Sequence, residues 1–256
     1  MTSALGFTKA DYQSFRRTVG ERQWYAQFMG VPSTPAGSLV KQAWFDTWRL
    51  TLPPAHPVLT LVSVDPAESG KGDECGLVAS ALTADGVVSL IADKSAHMTS
   101  DEWAVAAVEL AIETGASQIA VEGYTARQTY PRMIREAVGR AQENGKLRHA
   151  IKVTAWPEKG KPRPGDAIAR SGPLLQAIET GRARLAGNFP EFETAAVLWQ
   201  TGQHQPDRLA AWVVGHDVLM NFEGQSWDIA TGLGQSAAAE QQPEHQQPGE
   251  VIAMDW

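Results

Sequence analysis

Between Val58 and Asp93 three apolar, β-rich runs follow one another, and that stretch limits the fold more than any other part of the chain. VLTLVSVD (58–65) is apolar on both faces, so it belongs at the centre of a sheet covered on each side. CGLVASAL (75–82) and GVVSLIAD (86–93) follow, joined by the turn sequence Ala84-Asp85-Gly86, which predicts an antiparallel meander. The pattern then changes period. Thr99-Ser100-Asp101-Glu102 is a helix start ahead of WAVAAVELAIETG, which closes at Gly115. SQIAVEG (117–123) reads as a short buried strand, Arg127–Asn144 as a basic amphipathic helix, and His149–Ala155 as a further strand. After a Pro/Lys loop (156–165) the chain predicts a helix near 166–180 with Pro173 inside it, a short strand at 183–185 and a helix near 190–200. Pro206 opens a last helix that runs to about Met220. This order gives a mixed α/β domain.

The domain so defined occupies 58–222. Residues 1–57 read as a helical leader and linker. Tyr12, Phe15 and Val19 stand at helical spacing, Gly30–Ser38 is rich in Pro, Gly and Ser, and an aromatic cluster at Trp44, Phe45 and Trp48 is placed to pack on the domain. Residues 223–256 form a polar, Gln/Pro-rich tail with the composition of a disordered segment. A single cysteine, Cys75, excludes an internal disulfide framework and suits a reducing compartment. No apolar stretch has the length of a signal peptide or a membrane span, so a cytosolic protein without membrane contact is expected.

A net charge of −7 argues against DNA as a partner until its distribution is considered. From Arg127 to Arg170 there are eleven Lys/Arg against four Asp/Glu. Such a band, including Arg127, Arg132, Lys159, Lys161, Arg163 and Arg170, can contact phosphates; the alternative is an ordinary solvated helix face and loop.

Asp65 and Glu122 each stand where a buried strand stops. If those strands are neighbours, their ends lie about 5 Å apart, close enough for both carboxylates to share divalent cations. Asp207 falls in the first turn of the last helix, on the same face as Ala210, Ala211, Val214 and Val218, so it is directed toward whatever that face covers. Favourable placement at a helix N-terminus is the alternative reason for an acid there. His204 is either a ligand or proton carrier beside Asp207, or an exposed loop histidine. Oxygen donors of this kind suit Mg²⁺ or Mn²⁺.

The residues around these acids resemble the nuclease part of phage terminase large subunits. VSVDPAESGKGDECGLV (62–78) is similar to the first nuclease motif of that family, IAVEGY (119–124) to the second acidic motif and PDRLAAW (206–212) to the third. ADKSAHMTSDEWA (92–104), GRARLAGNFPEFE (181–193) and the leader segments WYAQFMGVP and GSLVKQAWF are similar as well, so the likeness covers roughly 20–222. The resemblance implies an RNase H-like (ribonuclease H superfamily) fold and a metal-dependent endonuclease that cuts double-stranded DNA during packaging. It places two divalent cations, Mg²⁺ or Mn²⁺, on Asp65, Glu122 and Asp207, with His204 matching a histidine found in some members. It further implies a terminase ATPase motor, a small terminase subunit and a portal as partners, in the cytoplasm of an infected bacterial host. One departure is plain: many members carry a further acid where this chain has Ala210. Another is that nothing matches the phosphate-loop pattern G-x-x-x-x-G-K-[ST], so the expectation is a fragment or a separately encoded nuclease subunit without a motor of its own.

Three other functions compete. A Holliday-junction resolvase shares the fold and the metal chemistry but takes branched DNA, and faster cutting of four-way junctions distinguishes it. A non-catalytic DNA-docking module binds duplex and leaves it intact with Mn²⁺. A sugar-kinase or actin-like ATPase also opens on an Asp-bearing strand, but its second phosphate loop has no counterpart here. Among the remaining polar groups, Cys75 reads as a small buried strand residue, Asp166 as a helix-start residue, and His216 and Asp217 as too far along the last helix to join Asp207. Asp73 in the first loop is an acid that caps the next strand or adds to the metal site.

Overall fold

A computed structural model of the chain describes residues 8, 37–67, 72, 74–162 and 165–222. The remainder of the leader, Asp73, Arg163 and the tail 223–256 lie outside the described residues. The elements in order are α1 (Gln42–Trp48), β1 (Leu59–Asp65), β2 (Gly76–Leu82), β3 (Val88–Asp93), α2 (Ser100–Thr114), β4 (Gln118–Glu122), α3 (Thr129–Glu143), β5 (Lys152–Trp156), α4 (Ala167–Glu179), β6 (Ala183–Leu185) and α5 (Pro190–Leu198). A final helix, α6, covers 207–222.

The six strands form one mixed sheet in the order β5-β4-β1-β2-β3-β6. β1, β2 and β3 make the expected antiparallel meander, while β4 joins β1 and β5 joins β4 in parallel. β1 therefore sits inside the sheet, and its residues 61–64 are buried on both faces, as their uninterrupted apolar sequence requires. One face carries α2 and α3, packed on Val62, Val64, Leu77, Ala79, Ile119 and Val121. The other carries α1, α4, α5 and α6 over Leu61, Val78, Leu90, Ala120 and Trp156.

Local chemistry sets the ends of these elements. Thr99 and Glu102 form a reciprocal capping box at the start of α2, and Gly115 closes the helix at φ 67°, a left-handed conformation that suits glycine. Asp166 caps α4 by accepting from the Ala169 N–H at 2.8 Å. Segment 38–50 is tied to the second layer: Leu39 N–H donates to the Trp199 carbonyl (3.1 Å), Leu50 N–H to that of Leu185 (2.8 Å), and Phe45 packs edge-on against Phe192.

Candidate active site

The register of β1 and β4 pairs Val64 with Val121, so the next residues, Asp65 and Glu122, end their strands side by side. Strand neighbours are about 4.8 Å apart, and residues paired in a parallel register leave the sheet on the same side. Asp65 shares its side with Leu61 and Glu122 with Ala120, both in the layer under α6, so both carboxylates point beneath that helix. They line a cavity of about 390 Å³ together with Tyr124, Trp156, Arg170, His204 and Ala210. The Glu122 Oε1 accepts from the Tyr124 N–H at 3.0 Å, which holds the carboxylate at the turn.

α6 brings the third acid by an unusually close approach to the sheet. Gly76 pairs with Asp65 on β2, and a Cβ built there falls 2.0 Å from the backbone oxygen of Asp207 and 3.0 Å from Ala211 Cβ. Only a residue without a side chain lets the helix start here. Two turns on, a Cβ at Gly215 falls 2.6 Å from Ser63 Oγ, so positions 207, 211 and 215 form the stripe on which α6 is seated. Sequence reading finds the small face of this helix but not its partner, since Gly76 stands as an unremarked strand residue until β2 is placed under Asp207.

Arg208 fixes the same helix end from its other side. Its guanidinium is almost wholly buried and donates to Asp93 (2.9 Å), Glu74 (2.9 Å) and Glu191 (3.2 Å). These acids come from the end of β3, the loop that follows Asp65, and the first turn of α5. On the opposite side of that loop, the Trp103 indole N–H donates to the Ala67 carbonyl at 3.2 Å. Sequence reading misses Arg208; its one signal is its position next to Asp207 at a helix start.

Electrostatics marks Asp65 as the centre of the group. Burial, then the charges of Glu122 and Asp207, push its carboxyl up to about 8, opposed by Arg170. Glu122 is raised by burial, with the Tyr124 N–H and Arg170 holding it back. Burial pushes the Cys75 thiol to about 12, and Asp65 and Asp207 add to the rise. Among the described residues no three His, Cys, Asp or Glu side chains converge on one point. Asp65 feels the charges of both other acids, Glu122 from the neighbouring end of β4 and Asp207 from the start of α6 over β2.

Arg170 reaches the cavity from α4, stacking over the Tyr124 ring at 5.1 Å and donating to the Gly165 carbonyl at 2.7 Å. His204 is exposed on the loop before α6, between Gln203 and Gln205, and the Gln205 side chain donates to Ser171 at 2.9 Å. The other cations expected to bind DNA separate. Arg132 pairs with Glu136 on the exposed side of α3 (3.7 Å), and Lys161 pairs with Glu158 (3.1 Å). Arg127 and Lys159 line a different cavity. Asp217 accepts from the Trp156 indole at 2.6 Å and so supports the cavity wall without lining it; His216 is buried, which lowers its pKa to about 4.

No family profile matches the sequence, and no curated protein does. Solved structures do match the fold. The nuclease domain of the large terminase subunit gp2 of bacterial virus Sf6 superposes with a TM-score of 0.51 at 14% identity, over 70% of this chain and 98% of that domain. The fold is the RNase H-like fold of terminase nuclease domains. Another structure of the Sf6 domain, a mutant with manganese and β-thujaplicinol, matches with a TM-score of 0.46 at 14% identity, over 70% of this chain and 98% of that one. The large terminase of a thermophilic bacteriophage matches over 84% of this chain, with a TM-score of 0.49 and 12% identity. This chain spans about half of that terminase, 53% of its length. No helix among the described residues is long and apolar enough to cross a membrane.

Proposed function

We propose that this RNase H-like domain is a divalent-cation-dependent endonuclease that cuts double-stranded DNA during phage genome packaging. The observation that carries the reading is that Asp65 and Glu122 line one cavity and that Asp65 also feels the charge of Asp207, from the first turn of a helix seated on Gly76. A carboxyl raised that far by burial and by other carboxylates is a site short of positive charge, and its oxygen-only donor set fits hard cations.

Asp65 and Glu122 would hold one Mg²⁺ or Mn²⁺, and Asp65 and Asp207 a second. When bound, such a pair polarises the scissile phosphoryl group and activates water for in-line displacement. The chain's own groups do the rest. Arg170, stacked on Tyr124 beside the carboxylates, binds a phosphate oxygen and orients the backbone for cutting. His204 at the rim can take up the proton released by the attacking water through a ring nitrogen. Arg208, Gly76 and Trp103 hold the acids in place. Ala210 lines the cavity without adding a carboxylate. Packaging partners expected from the resemblance, an ATPase motor, a small terminase subunit and a portal, belong to the same proposal.

Incubating supercoiled plasmid with Mn²⁺, Mg²⁺ or EDTA, for the native chain and for Asp65→Ala and Asp207→Ala, tests the reading. Nicking and linearisation that require the cation and vanish in both variants are expected. Intact plasmid with every cation, in a folded sample, overturns it, and preferential cutting of four-way junctions makes the protein a resolvase instead.

A further inference from the structure

The basic band does not lie along one surface. Arg127 and Gln128 ahead of α3, Arg135 in its second turn and Lys159 from the loop after β5 line a second cavity of about 630 Å³ against Val153, Thr154 and Ala155 of β5. Val153 packs with the α2/α3 layer, whereas Trp156 packs with the α6 layer. This cavity is thus on the opposite face of the sheet from the carboxylates, around the open edge formed by β5.

Its chemistry is that of an anion site. Arg127, Arg135 and Lys159 form no ion pair among the described residues, and the acid that lines the cavity with them, Glu158, is engaged by Lys161. The edge strand adds backbone donors and acceptors. Lys152 N–H bonds to the Ser117 carbonyl of the β4 side (2.9 Å), and the Trp156 carbonyl accepts from Gly123 N–H (2.8 Å). The even-numbered residues of β5 therefore face β4, which turns both the N–H and the carbonyl groups of Val153 and Ala155 outward. The free edge offers carbonyls as well as N–H groups, so the backbone does not choose the ligand; the three cations do, and Arg127, Arg135 and Lys159 in one concavity match a phosphodiester backbone. Lys152 at one end of β5 and Pro157 at the other also oppose addition of a further strand.

We infer that the groove of Arg127, Arg135 and Lys159 is a second phosphate-binding site for nucleic acid, holding a backbone segment away from the cut. The inference rests on the nuclease reading for its geometry. The two sites lie on opposite faces of the sheet on either side of the β5 edge. A duplex straddling the β5 edge presents one strand to the carboxylates and the other to this groove.

The test is fluorescence anisotropy of a labelled duplex of about 30 base pairs in EDTA across a salt series, with the full chain, an Arg127→Gln/Arg135→Gln double variant, Lys159→Gln and Arg132→Gln. Each lost phosphate contact lowers the slope of log K against log salt by about 0.9. The double variant is expected to lose between one and two in slope, Lys159→Gln close to one, and Arg132→Gln, ion-paired on the outer side of α3, much less. Lys159 lies outside every helix and strand, so its variant answers even if the double variant misfolds. Equal slopes for Lys159→Gln and the native chain overturn the inference, as do equal losses from all three variants, which would indicate a diffuse charge effect. Plasmid cutting is read in parallel: slopes that fall in a protein that never cuts sink the nuclease reading and leave the groove, whereas unchanged slopes in a protein that cuts sink the groove alone.

Discussion

Replacing Asp65 with Asn separates the two effects of crowding carboxylates at the end of β1. The native carboxyl is raised from 3.8 to about 8. Between those values the folded chain holds a proton that the unfolded chain has released, so stability falls as pH rises through the window and levels off above it. At pH 7 the full linkage corresponds to roughly 4 kcal/mol. The Asn amide must still be desolvated, so about half of that, ~2 kcal/mol, is the expected gain in the variant. In a domain of this size, ~2 kcal/mol raises Tm by about 4–8 °C. Thermal melts in EDTA from pH 5 to 9 should show the variant more stable, with a margin that widens toward pH 8. Mn²⁺ should reverse the order, since a cation at 100 times its Kd stabilises only the native chain, by about 2.7 kcal/mol. An Asn variant that melts at or below the native temperature at pH 8 in EDTA would refute the account of Asp65. An equal Mn²⁺ shift in both proteins would remove Asp65 from the cation site.

Four further outcomes are expected. Arg208→Met leaves Asp93 buried without its partner, so chemical denaturation should report a loss of about 3 kcal/mol, with weaker Mn²⁺ binding by calorimetry because the Asp207 turn is released. Gly76→Ala drives a methyl into the Asp207 carbonyl; a loss of about 1–3 kcal/mol in the same assay, with cleavage reduced further than stability explains, is expected. Ala210→Asp adds an acid to the cavity wall and should tighten Mn²⁺ binding several-fold in calorimetry, whereas Ala210→Asn should not. The Cys75 thiol, buried and raised to about 12, should react with a thiol reagent only after denaturation, followed by absorbance.

Much of this molecule is written in short stretches of sequence. The two-sided apolar run at 58–65 places β1 inside the sheet, because no other position covers both faces of a strand. Thr99 with Glu102, Gly115, Asp166 and Pro206 mark helix ends because each satisfies a backbone group or a dihedral angle within a few residues of itself. Asp65 and Glu122 stand out for a related reason: each ends an apolar run at a strand terminus, where a carboxylate can open toward solvent or a ligand.

The rest was decided by which elements meet. β4 could add in parallel to β1, and so set Glu122 beside Asp65, only because β2 and β3 fill the sheet on the other side of β1. Gly76 becomes a seat for Asp207, and Arg208 the tie between Glu74, Asp93 and Glu191, through contacts that join distant parts of the chain. The basic block, continuous in sequence from Arg127 to Arg170, is divided between two faces because β5 runs through the middle of it. Periodicity and capping are properties of a few neighbouring residues, so the sequence alone determined them; pairing partner, sheet face and the charge around a carboxylate arise when remote segments pack, and only the tertiary structure decided those.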